Sequence, residues 1–193
     1  HFPLVLESWR QVRDGRLPEW SDLCWSGTPL VGNGAAGALY APHALGFALT
    51  RDPHLRAFDV SAALHAGWFA AGTVMLLAAL GLSPGLCLVG AGLTLLARYT
   101  NWTPFAFLPA YAALTWWPWV LLAAERLARD PMVTGPLLLG SVALAAQVLA
   151  GFPEHAFSAA LAAGSWIVLR SSGQPFGRRL WRVVLLALGS AAL

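Results

Sequence analysis

Long uncharged stretches divide most of the chain into apolar segments. Between Asp59 and Arg98 lie 38 residues without a charge, interrupted by the turn-forming residues 81–85 (Gly-Leu-Ser-Pro-Gly). Because a helix needs about 20 apolar residues to cross a bilayer, this stretch is long enough for two crossings. The whole pattern predicts about six helical spans, the last one truncated, at residues 58–80, 84–98, 104–124, 132–151, 155–169 and 180–193.

These segments predict an all-α fold. They are too long and too uniformly apolar for the alternating strands of a membrane barrel, so helices are the expected spanning elements. Pro104, Pro109 and Pro118 predict a kinked or partly re-entrant third span. We therefore expect a polytopic transmembrane helix bundle over residues 58–193, preceded by an irregular loop over residues 1–57.

The composition agrees with a membrane protein and excludes other classes. Hydrophobic residues make up 58% of the chain, charged residues 11%, and the mean hydropathy is +0.61. These values exclude a soluble single-domain enzyme, a disordered chain and a disulfide scaffold. Cys24 and Cys87 fall in the loop and in a span, so we expect two free thiols. All 12 basic residues are Arg, a composition typical of a GC-rich bacterium.

The arginines predict the orientation in a bacterial cytoplasmic membrane. The loops at residues 125–130 and 170–182 carry six Arg, whereas those at residues 98–103 and 151–154 carry one. Cytoplasmic loops are enriched in basic residues, so residues 1–57 are expected to be extracytoplasmic. The net charge of +3 then reflects topology and requires no nucleic-acid partner.

The extracytoplasmic segment is rich in turn formers and aromatic residues. Between residues 17 and 42 these are too dense for a flexible linker or a regular helix. They predict an ordered loop on the membrane surface, with either a covering or a catalytic role. Since the chain starts at His1 and stops at Leu193 inside an apolar run, we expect it to belong to a longer polypeptide.

Several segments, in order along the chain, resemble the YfhO-like bacterial membrane proteins of the GT-C glycosyltransferase class. In the last of them Phe152 stands where the family has His. The segments are residues 16–20, 26–33, 39–43, 64–65, 117–126 and 149–154.

The resemblance implies a polytopic enzyme that transfers a sugar from a polyprenyl-phosphate carrier to an acceptor in the cell envelope. The carrier-linked sugar is the donor substrate, and no separate cofactor is expected. GT-C enzymes typically place an essential Asp in the first outer loop, which corresponds to a position upstream of His1. Acidic residues at Asp-x-Asp spacing are missing, so the sequence does not support a divalent metal.

Displacing a lipid phosphate from a sugar requires a carboxylate that accepts a proton and cations that hold the phosphate. We predict Glu154 and His155 as catalytic residues, because their turn brings a carboxylate and an imidazole to the outer interface, and Asp59 as a further candidate. The alternative is that both carboxylates only favour a helix N-terminus and that His155 is merely interfacial.

The predicted substrate-binding residues are Arg98, Arg56, Asn33 and Tyr40. Arg98 follows a span at the depth of lipid head groups, where Arg can hold a phosphate or merely snorkel. We expect Glu154 and Arg98 to converge on one groove, with Asn33 and Tyr40 in its wall. His65, inside the first span, is expected to be a packed, hydrogen-bonded histidine.

Two other function classes stay open. A noncatalytic subunit of a membrane assembly is compatible with this chain, and it would have other membrane subunits as partners besides lipids. A transporter or flippase is disfavoured, because the predicted spans lack paired buried charges and no internal repeat is visible. The sequence contains no motif for nucleotide binding, zinc proteolysis or serine hydrolysis.

Overall fold

The chain is mostly helical. The computed structural model describes residues 2–23, 26–48, 55–97, 107–130, 134–171, 173 and 175–191. The N-terminal part contains α1 (Phe2–Arg13), β1 (Trp20–Ser21), β2 (Thr28–Pro29), a 3-10 turn (Gly34–Ala36) and α2 (Ala41–Ala48). The remaining helices are α3 (Leu55–Ala79), α4 (Pro84–Leu96), α5 (Leu108–Leu114), α6 (Trp117–Arg129), α7 (Thr134–Leu149), α8 (Pro153–Arg170) and α9 (Phe176–Ala191).

The prediction that residues 1–57 form an irregular loop is wrong at two places. Helix α1 forms because Leu4, Val5 and Ser8 recur at helical spacing and are buried, with Val5 packed against Ala57. Helix α2 packs against α3. The described part of residues 14–40 contains only the 3-10 turn and an antiparallel pair of two-residue strands, as its turn-forming composition predicts.

The third predicted span, residues 104–124, is interrupted within its described part. Helix α5 ends at Leu114 and α6 begins at Trp117, since Pro118 has no N–H to donate to the carbonyl four residues earlier. The expected kink is thus a break between two helices. Helix α6 then continues to Arg129, so the predicted loop at residues 125–130 is almost entirely helical.

One segment in the described part of the chain, Ala57–Ala79 of α3, is long and apolar enough to cross a membrane. Pro84–Leu96 and Thr134–Leu149 are also apolar but shorter. A helix rises about 1.5 Å per residue, so the described lengths of these two helices are shorter than the roughly 30 Å hydrocarbon core of a typical bilayer.

Helix α6 lies at the centre of the bundle. It packs against α3, α7 and α8, and its residues are buried on nearly all sides. Small side chains allow this close approach: Ala123 of α6 lies where a side chain on Gly140 of α7 would point, and Ala159 and Ala163 of α8 are fully buried.

A buried carboxylate joins α6 to α8 at the end of the bundle where α3 also ends. Glu125 has no exposed surface. Arg170 donates two parallel hydrogen bonds to it, of 3.1 and 2.8 Å, and Trp166 donates another of 2.8 Å. Arg129 binds the same carboxylate at 2.9 Å and also donates to the Ala79 carbonyl, the last residue of α3. One carboxylate therefore links three helices.

At the opposite end residues 14–40, named the outer segment after their predicted extracytoplasmic position, contact the turn between α7 and α8 through Gly34 and Gly37. A Cβ atom on Gly34 would lie 2.6 Å from the carbonyl oxygen of Gly151. Gly151 itself has φ 95°, and a side chain there would collide with the Gly34 carbonyl. Gly37 approaches the Ala150 carbonyl in the same way. This backbone contact requires glycine on both sides.

We expect Glu125→Gln to destabilise the protein by about 2 kcal/mol or more, because charge-assisted hydrogen bonds from Arg129 and Arg170 are lost. The midpoint of thermal unfolding, followed by circular dichroism in detergent, should fall by several degrees. Arg126→Gln on the exposed side of α6 is the matched control and should change it little. Equal midpoints for the two variants would contradict the role of Glu125.

Gly34→Ala should loosen the outer segment without unfolding the bundle, because only the contact with Gly151 is too close for a side chain. Limited proteolysis of residues 14–40 should become at least several-fold faster. Gly92→Ala in α4, whose added methyl group meets no atom within 4 Å, is the control and should digest like the wild type. Unchanged digestion of Gly34→Ala would show that the contact does not hold this segment.

Candidate functional site

A cavity of about 350 Å³ lies between α2, α3 and the break before α6. It adjoins the Gly34–Gly151 contact, because Tyr40 packs with Ala150 and Phe152 in one apolar cluster. The residues that line it come from the start of α2, from one face of α3 and from the α5–α6 break. They are Tyr40, Pro42, Leu45, Ser61, Leu64, His65, Trp68 and Trp116.

A chain of hydrogen bonds forms the polar side of the cavity. The Trp116 indole N–H donates to the Tyr40 hydroxyl oxygen at 2.7 Å, and that oxygen lies 3.0 Å from His65 Nε2. His65 Nδ1 lies 2.7 Å from the Ser61 carbonyl oxygen. A carbonyl only accepts, so Nδ1 carries the proton of the neutral ring and Nε2 accepts from Tyr40. Every member of this chain has a partner.

Local sequence explains why these groups meet. Ser61 and His65 are four residues apart and therefore lie on one face of α3. Trp116 stands at the break that Pro118 imposes, which turns its indole toward the outer segment. Tyr40 directly precedes α2 and is buried. Burial raises the pKa of the Tyr40 hydroxyl above its ordinary value, and the bond from Trp116 offsets only part of this increase.

His43 extends the polar cluster away from the cavity. It is fully buried, its Nδ1 lies 3.3 Å from the Ser61 hydroxyl, and its ring centre is 5.4 Å from that of His65. Its Nε2 has no hydrogen-bond partner among the described residues. Burial, with a smaller electrostatic contribution from His65, lowers the pKa of His43 to about 3. His43 is therefore neutral at physiological pH.

Trp68 and Trp116 form an aromatic part of the cavity wall. Trp68 stacks on Trp119 with ring centres 4.2 Å apart and meets Trp116 edge to face at 5.2 Å. The Trp119 indole N–H donates to the Trp68 carbonyl at 3.2 Å. These contacts fix the rings as a rigid aromatic surface.

Of the predicted site residues whose side chains the structure describes, only Tyr40 is among those that line the cavity. Asn33 is half-buried beside the 3-10 turn and donates to the Thr28 hydroxyl at 3.5 Å. Glu154 is exposed in the first turn of α8, and His155 is half-buried against Phe152. Asp59 is exposed on α3. The three predicted catalytic residues therefore do not line this cavity.

Other expectations involve residues that the structure describes incompletely. Arg98 and Cys24 lie outside the described residues, and so does the side chain of Arg56. The expected convergence of Glu154 and Arg98 thus stays a prediction. Cys87 is a buried free thiol in α4, as expected. Within the described part of the chain no three His, Cys, Asp or Glu residues are grouped to hold a metal ion.

Four residues at the cavity or beside it were not predicted as site residues from the sequence: His43, Ser61, Trp68 and Trp116. The spacing of Ser61 and His65 was a usable signal, because a polar pair four residues apart in an apolar helix marks an inward face. His65 is packed and hydrogen-bonded, as predicted. The contact between Tyr40 and Trp116 joins residues 76 positions apart, and no local pattern encodes it.

Comparisons with models of protein families, with curated proteins and with solved structures find no match to this chain. The similarity to the YfhO-like proteins therefore rests on the sequence segments alone.

We expect stability to decrease on acidification because of His43. Its pKa in the folded protein lies below its ordinary value of 6.5, so the unfolded chain takes up the proton first. The stability that neutral His43 provides is fully present above about pH 6.5 and is progressively lost as the pH falls from 6.5 toward 3. One such group contributes a slope of up to about 1.4 kcal/mol per pH unit.

Denaturant unfolding between pH 7 and 4 checks this expectation. His43→Asn should reduce the dependence of the unfolding free energy on pH. Ser61→Ala, which removes a partner but keeps the ring, should lower stability at every pH and retain the slope. A slope unchanged by His43→Asn would refute the assignment.

Proposed function

We propose that the chain is part of a bacterial membrane glycosyltransferase of the GT-C type. It transfers a sugar from a polyprenyl-phosphate carrier to an extracytoplasmic acceptor of the cell envelope. The observation that carries this proposal is the assembly of two resembling segments at one end of the bundle, beside the cavity: Tyr40 of residues 39–43 packs with Ala150 and Phe152 of residues 149–154. Gly34, which directly follows the resembling residues 26–33, contacts Gly151 of the same turn.

The distribution of polar groups supports a polytopic membrane bundle. Large apolar side chains are exposed along the outside of several helices, whereas Glu125, Gln147 and Thr115 are fully buried. A water-soluble monomer rarely exposes so many large apolar side chains. The exposed residues on α4, α7 and α8 include Leu86, Leu88, Val89, Leu93, Leu96, Leu138, Val142, Val148, Phe157 and Leu161.

The two ends of the bundle support the proposed orientation. The end with Glu125 also carries Arg129, Arg170 and Arg182, and Arg182 donates to the Ala128 carbonyl near the end of α6. The other end carries the outer segment with the cavity. Basic residues favour the cytoplasmic side of a membrane, so the cavity end is the extracytoplasmic one in this proposal.

In this proposal Glu154 is the base that accepts the acceptor's proton, with His155 beside it, and Arg98 contacts the carrier phosphate. Glu154 suits this role because it is solvent-accessible and stands in the first turn of α8, directly after the Gly151 contact. Asp59, Arg56 and Asn33 are the further candidates for catalysis and substrate binding around the outer segment.

A noncatalytic membrane subunit is the second candidate function. The described lining of the cavity contains neither a carboxylate nor a guanidinium group, which favours binding over bond cleavage at that position. This candidate shares the membrane placement and the lipid partners of the enzyme. It differs in that Glu154 has no role in sugar transfer.

Sugar transfer by the full-length protein distinguishes the two candidates. Glu154→Gln should reduce transfer of a radiolabelled hexose from polyprenyl phosphate to the envelope fraction by about tenfold or more, because a general base is lost. Asp14→Asn, which removes an exposed carboxylate from the outer segment, is the control and should leave the rate unchanged. Membrane insertion should be equal in both variants. A wild-type rate for Glu154→Gln would exclude Glu154 as the base.

A further inference from the structure

We propose that the cavity holds the hydrocarbon chain of an outer-leaflet membrane lipid. It is a lipid-chain site, separate from any site for sugar or phosphate. The proposal rests on the membrane placement proposed above and does not require that the protein be an enzyme. Three features of the cavity lead to it: its depth along α3, its apolar opening and its internally paired polar groups.

The first feature is depth. The apolar segment of α3 begins at Ala57, and the cavity residues on this helix run from Ser61 to Trp68. At about 1.5 Å per residue they lie roughly 6 to 17 Å from the start of the segment. Half of a typical hydrocarbon core is about 15 Å thick, so all but the deepest part of the cavity, at Trp68, lies in one leaflet, below the head groups. The position of Tyr40 in the outer segment makes this the outer leaflet.

The second feature is the opening. Leu45 is 67% exposed, Leu64 59% and Trp68 38%, so the rim of the cavity is apolar. A chain can enter from the bilayer without leaving apolar surroundings. A phosphate or a sugar would lose its hydration there and meet no charged partner among the described lining residues.

The third feature is the polar side of the cavity. Trp116, Tyr40, His65 and the Ser61 carbonyl already satisfy one another. A polar ligand would have to break one of these bonds to make its own, whereas a hydrocarbon chain leaves all of them intact. An apolar cavity without free polar groups binds apolar molecules rather than water. Its volume of about 350 Å³ falls in the range of ligand pockets, roughly 300 to 1,000 Å³.

Photolabelling of the full chain in phosphatidylcholine vesicles tests the proposal. The probe is a phosphatidylcholine with a diazirine in the middle of one acyl chain, and the sites are mapped by mass spectrometry after excess lipid has been exchanged for detergent. A bound chain is retained, so adducts at Leu45, Leu64 and Trp68 should exceed those at Leu93 by about fivefold or more. Leu93 on α4 is as exposed as Leu64 but lies outside the cavity lining.

Filling the cavity provides the matched variants. Leu64→Trp places a larger side chain at the opening and leaves the hydrogen-bonded groups untouched, so retained labelling of Leu45 and Trp68 should fall about fivefold. Leu93→Trp should leave it unchanged. Equal retained labelling in the two variants would overturn the site.

Two further outcomes separate this proposal from the proposed function. In a parallel experiment with a diazirine-labelled isoprenoid alcohol, retained labelling of the cavity residues should be no higher than with the phosphatidylcholine probe. If the cavity retains only the isoprenoid, the bilayer-lipid assignment is overturned while the glycosyltransferase proposal stands. If vesicle-bound probe labels neither Leu64 nor Leu93 before detergent exchange, the membrane placement and the site both fail.

Discussion

The bundle depends on a carboxylate buried at one of its ends. Glu125 accepts hydrogen bonds from Arg129, Arg170 and Trp166, and Arg129 continues to the last carbonyl of α3. A buried charge is tolerated only when it is fully paired, and these bonds hold α3, α6 and α8 in a fixed relation. The strength of the interaction lies in its geometry, since Arg170 binds through two parallel bonds.

A different constraint operates at the other end. Gly34 and Gly151 approach through their backbones, which brings the outer segment onto the α7–α8 turn and Tyr40 under the break before α6. The chain of bonds from Trp116 through Tyr40 to His65 then joins the outer segment to α3. The cavity exists because the outer segment, α3 and the break before α6 meet around packed aromatic rings, and these rigid rings leave the space between them unfilled.

In the folded bundle, polar groups are buried in the interior and many large apolar side chains lie on the exterior. Glu125, Gln147, His43 and His65 are buried, while most leucines of α4 are exposed. In water this arrangement would be unfavourable, because apolar surface is hydrated and polar groups are desolvated. In a bilayer the exposed leucines are solvated by lipid, and interior hydrogen bonds between helices help to hold the bundle together. The proposed membrane placement, the lipid-chain site and the transferase reaction all require this surrounding.

The sequence by itself determined the helical class and the approximate helix positions, because uncharged apolar runs and turn residues are local signals. A kink somewhere in the third predicted span was likewise readable from its three prolines, since a missing N–H acts within one turn, and the structure places the break just before Pro118. The sequence did not reveal α1 as a packed helix, because the residues of other elements that cover Leu4 and Val5 lie 26 or more positions away along the chain. Only the tertiary structure joined Trp116 to Tyr40 and Arg170 to Glu125, because such pairs depend on how distant helices pack and leave no periodic trace in the chain.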